Sequence, residues 1–126
     1  MHIKANSIRP FIGAKNFETS RRFYSDLGFT ESVLSDGMSY FCSGNFGFYL
    51  QSAFVKDWVD NTMVFMEVEN VNQFWQELVA LDLPSKYEEV RIVPVRELPW
   101  GRECFVHDPS GILWHFGTFT GNEHLL

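Results

Sequence analysis

Two histidines and two tryptophans fall within one short stretch, ELPWGRECFVHDPSGILWHFGTF, residues 97–119. Imidazole is the commonest metal ligand and the usual acid–base group near neutral pH. Indole offers a broad flat face for stacking. The stretch therefore allows two chemistries, a metal centre built on His115 or an aromatic wall built on Trp100. His107 stands just before an Asp-Pro turn and reads as a residue that caps or solvates it. His2 and His124 lie near the two ends and are not candidates. Cys42 and Cys104 match no metal-ligand spacing and no disulfide framework. Both sit in apolar runs and read as reduced core residues. No Ser-His-Asp or Cys-His set is visible by motif, and no Gly-rich phosphate loop is present. Glu88-Glu89 reads as a solvated surface pair.

The elements that must position these residues form a repeat. Asn16 and Asn70 lie 70 − 16 = 54 positions apart, and each opens an amphipathic run. In the first run Phe17, Phe23, Tyr24 and Leu27 recur at helical spacing; in the second Val71, Phe74, Trp75, Leu78 and Val79 do so. Asn before such a run predicts a helix N-cap, because its side-chain oxygen can accept an orphan backbone N–H. A strand is predicted before each helix, at residues 8–14 and 62–68. Three follow each, at 29–34, 38–42 and 46–51, then at 90–97, 103–107 and 112–119. Asp36-Gly37, Gly44-Asn45, Pro99, Gly101 and the Asp-Pro-Ser-Gly turn separate them. Pro94 within a strand predicts an edge or a bulge. The expected fold is α+β, a single domain over 1–126, with βαβββ modules at 7–53 and 61–119 and a linker at 54–60. Two such modules can set their sheets into a curved, mixed-sheet cup, and a cup at a junction of repeats is a natural ligand site.

The repeat, with FYSDLGF ending the first helix and DPSGILWHFG leading into the last strand, resembles the vicinal-oxygen-chelate superfamily. That group includes glyoxalases, extradiol dioxygenases, fosfomycin-resistance enzymes and bleomycin-resistance proteins. The likeness runs over residues 7–119. PWGRE at 99–103 and DNTMVFMEVENV at 60–71 bring it nearest to the bleomycin-resistance proteins. By this resemblance, the four inward positions that hold metal in the metal-dependent members fall on Arg9, Tyr49, Met63 and His115. Arg has no lone pair to offer. Met is a soft thioether ill suited to such metals, and Tyr must first lose a proton with a pKa of about 10. Only His115 is a good ligand, so no metal and no cofactor is expected, and no catalytic residue is assigned. His115 with Tyr49 is the one acid–base pair the positions suggest.

The resemblance implies that Trp100 stacks on a planar part of a ligand. Met38 stands where those proteins place Phe to complete the sandwich, and Tyr40 and Phe41 are near enough to substitute, although only one of them can face the cup because strand side chains alternate. The expected ligand-binding set is Trp100, Met38, Tyr40, Arg9, Tyr49, Met63, Arg102 and His115. Carboxylates at Glu31, Asp36, Asp57, Asp60, Glu88 and Glu97 are placed near the mouth, where they would suit a cation, whereas Arg9 favours a neutral or anionic aromatic. The function implied is non-catalytic sequestration, in an aromatic cleft, of a planar aromatic drug-like molecule, cationic ones included, with a neutral or anionic aromatic as the runner-up. The alternatives are a metal-dependent lyase or dioxygenase of the same superfamily, or a paralogue without ligand.

Composition narrows the partners. The formal net charge of −6 argues against nucleic acid, which needs a basic surface. No apolar run approaches the ~18 residues of a membrane span. The N-terminal MHIKANSIRP has no apolar signal core, so a cytoplasmic location is expected. Aromatic residues make up 17% of the chain, an excess that leaves apolar surface to hide and points to a homodimer.

Overall fold

A computed structural model describes residues 1–121; His124 lies outside the described residues. The chain runs β1 (Phe11–Gly13), α1 (Phe17–Leu27), β2 (Thr30–Ser35), β3 (Met38–Ser43), β4 (Phe46–Gln51), α2 (Lys56–Asp60), β5 (Met63–Glu67), α3 (Val71–Leu81), α4 (Leu83–Lys86), β6 (Arg91–Leu98), β7 (Gly101–His107) and β8 (Leu113–Phe119). Both predicted helices start where the asparagines place them. Asn16 Oδ1 accepts from Thr19 N at 3.1 Å, and Asn70 Oδ1 from Gln73 N at 3.1 Å. The segment 54–60, expected as a linker, contains the short helix α2.

The strands form two separate four-stranded sheets, ordered β1-β4-β3-β2 and β5-β8-β7-β6. In each, the strand before the helix lies parallel to the last strand of its module, and the other pairs are antiparallel. Each module is therefore a βαβββ unit, as predicted. Pro94 lies on β6, an edge strand, within a register shift between Val93 and Arg96. An edge needs no second partner for its backbone, so a residue without an N–H is tolerated there.

One face of each sheet is closed by helices and by the other module. Phe41, Phe48 and Leu50 point inward from the first sheet; Cys104, Val106, Trp114 and Phe116 do so from the second. Rings carry the packing between modules: Trp114 meets Tyr24, Phe29 and Phe48 at centroid distances of 5.7, 5.6 and 5.4 Å. Trp75 is partly buried against this core. Cys104 is fully buried, and burial, with the Glu103 charge, pushes its thiol up to about 11, which keeps it protonated and inert. Cys42 corrects the expectation of a second core thiol. It alternates with buried Phe41, so it shares the opposite, partly exposed face with Tyr40.

Through this core runs a buried polar chain. Trp114 Nε1 donates to the Tyr24 hydroxyl at 2.9 Å, and that hydroxyl donates to Asp108 Oδ2 at 2.5 Å. The other Asp108 oxygen accepts from the backbone N–H groups of Ser110 and Ile112, both at 2.8 Å. Burial pushes the Asp108 carboxyl above the ordinary aspartate range, and these donors pull it part of the way back. Tyr24→Phe removes the middle of the chain and strands two buried partners. Each unsatisfied buried group costs about 1–3 kcal/mol, so the variant should lose about 2–4 kcal/mol. Urea unfolding should show a lower midpoint with an unchanged slope; an unchanged midpoint would mean that the chain adds nothing to stability.

Candidate functional site

The sheet faces not used by the core carry the candidate site. On the second sheet, strand alternation sends Phe65, His115, Gly117, Glu103 and Phe105 away from the buried Trp114, Phe116, Cys104 and Val106. Strand register then sets them in rows: Phe65, His115, Phe105 and Val93 lie side by side, and next to them lie Glu67, Gly117, Glu103 and Arg96. Val93 and Arg96 differ by an odd number yet face the same way, because three steps along β6 match two along β7. The bulge at Pro94 thus aims Arg96 at Glu103.

Glu103 is only 4% exposed, and both of its oxygens are matched. Oε2 accepts from Arg96 Nη2 at 3.0 Å, and Oε1 lies 3.0 Å from His115 Nδ1. The Arg96 guanidinium also sits over the Phe105 ring, 4.7 Å from its centroid, and Phe105 meets His115 edge-on at 4.8 Å. Beside this polar group is an aromatic shelf. Phe65, Trp100 and Phe119 are mutually in contact, at centroid distances of 5.8, 5.2 and 5.5 Å. Gly117 makes room for it: a Cβ there would come within 2.8 Å of the Phe65 ring. Phe65 is 44% exposed and Trp100 is partly exposed, so the shelf opens outward.

The first sheet repeats the arrangement with different chemistry. Phe11, Tyr49 and Tyr40 lie side by side in register, and 65 − 11 = 54 recovers the sequence repeat. Arg9 Nη1 donates to the Tyr49 hydroxyl at 3.1 Å, and its guanidinium lies 4.2 Å from the Tyr40 centroid. Phe11 stacks on Tyr49 at 4.8 Å. Tyr40 lies across Gly47, where any side chain would collide with its ring. Met38 shares the face of Tyr40, one row along, opposite Gln51. Each module thus sets an arginine over an aromatic ring on its outer face.

Among the expected residues, Arg9, Tyr40 and Tyr49 are brought together, with Met38 on the same face. His115 and Trp100 are joined through Phe65, and Met63 is 66% exposed at the start of the strand that carries Phe65. Three expectations are corrected. His115 and Tyr49 do not form a pair: they lie on different sheets, and the partner of His115 is Glu103. Arg102 does not join the site, because it alternates with Glu103 and shares the face of Cys104 and Val106. Glu31 is not a mouth carboxylate; it binds Arg21 at 2.6 Å and Ser39 at 2.6 Å on the core side. Glu103, Arg96, Phe65 and Phe119 were missed. The one signal in the sequence was a carboxylate inside the apolar strand GRECFVH, since a buried charge demands a partner.

The donor set does not suit a metal of the kind this fold can hold. Arg9 is a cation, Tyr49 receives its hydrogen bond, and Met63 is a thioether. Both oxygens of Glu103 are engaged, by Arg96 and by His115, which leaves His115 Nε2 as one ligand where such a site needs about three. Among the described residues, no three His, Cys, Asp or Glu side chains converge as a metal group.

No protein-family model and no curated protein sequence matches the chain. Solved structures do. A bleomycin-binding protein from Streptomyces verticillus, complexed with copper(II)-bleomycin, superposes with a TM-score of 0.79 at 23% identity, over 94% of this chain and 100% of its own. TnmS3, an antibiotic-binding protein from Streptomyces sp. CB03234, gives 0.74 at 15% identity, over 94% and 100%. The fosfomycin-resistance protein FosX from Listeria monocytogenes gives 0.73 at 15% identity, over 98% of both chains. Over nearly its whole length the chain has the fold of these bleomycin-binding, antibiotic-binding and fosfomycin-resistance proteins and of a glyoxalase-family protein from Bacillus anthracis.

Proposed function

We propose that this protein binds a planar aromatic small molecule and sequesters it without turnover. The observation that carries this reading is the open shelf of Phe65, Trp100 and Phe119 beside a buried, fully matched Glu103. Rings offer stacking to any flat ligand, and excess apolar area at a site's centre supplies most of its affinity. Bleomycin binding and antibiotic binding by proteins of the same fold agree with this reading. The buried carboxylate is already neutralised by Arg96, and Arg9 projects from the other sheet, so a neutral or anionic ring system is favoured over a cation. The donor set also speaks against a metal-dependent lyase or dioxygenase.

The site is completed, in this proposal, by a second copy of the chain. Phe11 on one sheet and Met63, Phe65 and Val93 on the other are exposed on faces that no element among the described residues covers. Pairing across a two-fold axis buries these faces and encloses a cleft between them. No helix among the described residues is long and apolar enough to cross a membrane; the proposed location is the cytoplasm.

Three measurements test the proposal. Light scattering should give a mass of about 29 kDa, twice the 14.7 kDa chain; a monomer mass that holds at all concentrations overturns the dimer. Elemental analysis of purified protein should find under about one tenth of an equivalent of transition metal; near-stoichiometric Zn, Ni, Mn or Fe would revive the enzyme. A fluorescence titration with metal-free bleomycin and a panel of planar aromatics should quench wild type. Trp100→Ala should weaken binding by about 2 kcal/mol, roughly thirtyfold. Full affinity of Trp100→Ala for every ligand bound by wild type removes the shelf from the site.

A further inference from the structure

The polar group on the second sheet specifies more than stacking does. Glu103 forms an ion pair with Arg96 at 3.0 Å, and a carboxylate in an ion pair can only accept hydrogen bonds. The hydrogen between Glu103 Oε1 and His115 Nδ1 must therefore sit on Nδ1. In the neutral ring this leaves Nε2 as a lone-pair acceptor. No hydrogen bond within the described residues engages Nε2, and the side chain is 21% exposed, so Nε2 is free for a ligand. Phe105 packs edge-on against the ring and Phe65 lies along it, which fixes the imidazole plane. Phe65 meets Trp100 at a centroid distance of 5.8 Å and lies 6.5 Å from the His115 ring, so a flat molecule seated on the shelf would have its edge beside the imidazole.

We propose that His115, oriented by Glu103 and Arg96, is the hydrogen-bond acceptor of the cleft, and that the ligand is a planar aromatic carrying an O–H or N–H donor on its edge. This inference rests on the aromatic-cleft reading and adds the ligand's polarity to it. Glu103 and Arg96 are positioning residues: they set the tautomer and the ring orientation but do not touch the ligand.

A matched pair of probes separates the two readings. 2-Naphthol and 2-methoxynaphthalene share one ring system, and only the first can donate a hydrogen bond. Wild type should bind 2-naphthol about five- to tenfold more tightly, the effect of one neutral hydrogen bond. His115→Phe should abolish that preference, leaving the two probes bound with equal affinity, and continued binding of the methyl ether shows that fold and shelf are intact. Glu103→Gln offers an amide N–H to Nδ1, releases the other tautomer and should abolish the preference too. In the free wild-type protein, long-range 1H–15N correlation spectra should show His115 protonated at Nδ1. That readout needs no ligand, so it guards against variants that fail to fold. Equal binding of both probes by wild type, or a His115 protonated at Nε2, overturns this inference and leaves the aromatic cleft standing. Failure of both probes to bind overturns the two readings together.

Discussion

The buried chain from Trp114 through Tyr24 to Asp108 is the constraint on which the rest of the molecule depends. Tyr24 belongs to the first helix; Trp114 and Asp108 belong to the last strand and to the turn before it. A hydroxyl has one hydrogen to give, and here it goes to a carboxylate while the oxygen receives the indole N–H. Both bonds survive only if the modules dock in a single arrangement. Apolar packing alone would tolerate small slips among the rings of Tyr24, Phe29, Phe48 and Trp114. The polar chain forbids them, and it also closes the Asp-Pro-Ser-Gly turn that launches β8.

That docking decides the outer faces. Trp114 is locked inward, so by strand parity its neighbour His115 must face outward. Register across the sheet then carries the choice to Phe65 and Phe105, and one row along to Gly117 and Glu103. The bulge at Pro94 is what recruits Arg96; an unbroken β6 would turn that side chain to the other face, leaving a buried carboxylate without its counterion. Core and site are thus opposite consequences of one register.

This coupling explains what could be read from the sequence. The helices, the succession of strands along the chain and the repeat were legible, because they follow from periodicity, from Asn16 and Asn70 as caps and from turn residues. That His115 and Trp114 face opposite ways follows from their adjacency on one strand. The partner of His115 was not legible. Tyr49 and His115 occupy matching positions in the two modules, and nothing in the sequence says that matching positions sit on separate sheets. Glu103 was hidden in the same way: its pairing with His115 depends on the β7–β8 register, and its pairing with Arg96 depends on one extra residue in β6. The exclusion of Arg102 follows from its neighbour once Glu103 is placed. Local chemistry is readable one residue at a time, whereas a site composed across three strands is not.

The two modules show how a repeat can diverge without losing its frame. Each keeps a phenylalanine on its first strand, an arginine over an aromatic ring and a parallel pairing of first and last strands. The polar partner differs. In the first module the arginine bonds a tyrosine hydroxyl and faces outward as a donor. In the second it bonds a buried carboxylate, which passes the polarity on and leaves an imidazole lone pair as the outermost group. An arginine at the surface and an imidazole acceptor are complementary demands on a ligand. Metal chelation would require lone pairs from both modules. Here one module supplies a cation, and in the other both Glu103 oxygens are spent on holding Arg96 and His115, which leaves a single imidazole lone pair; under the proposed function the frame then recognises a ring by its face and its edge.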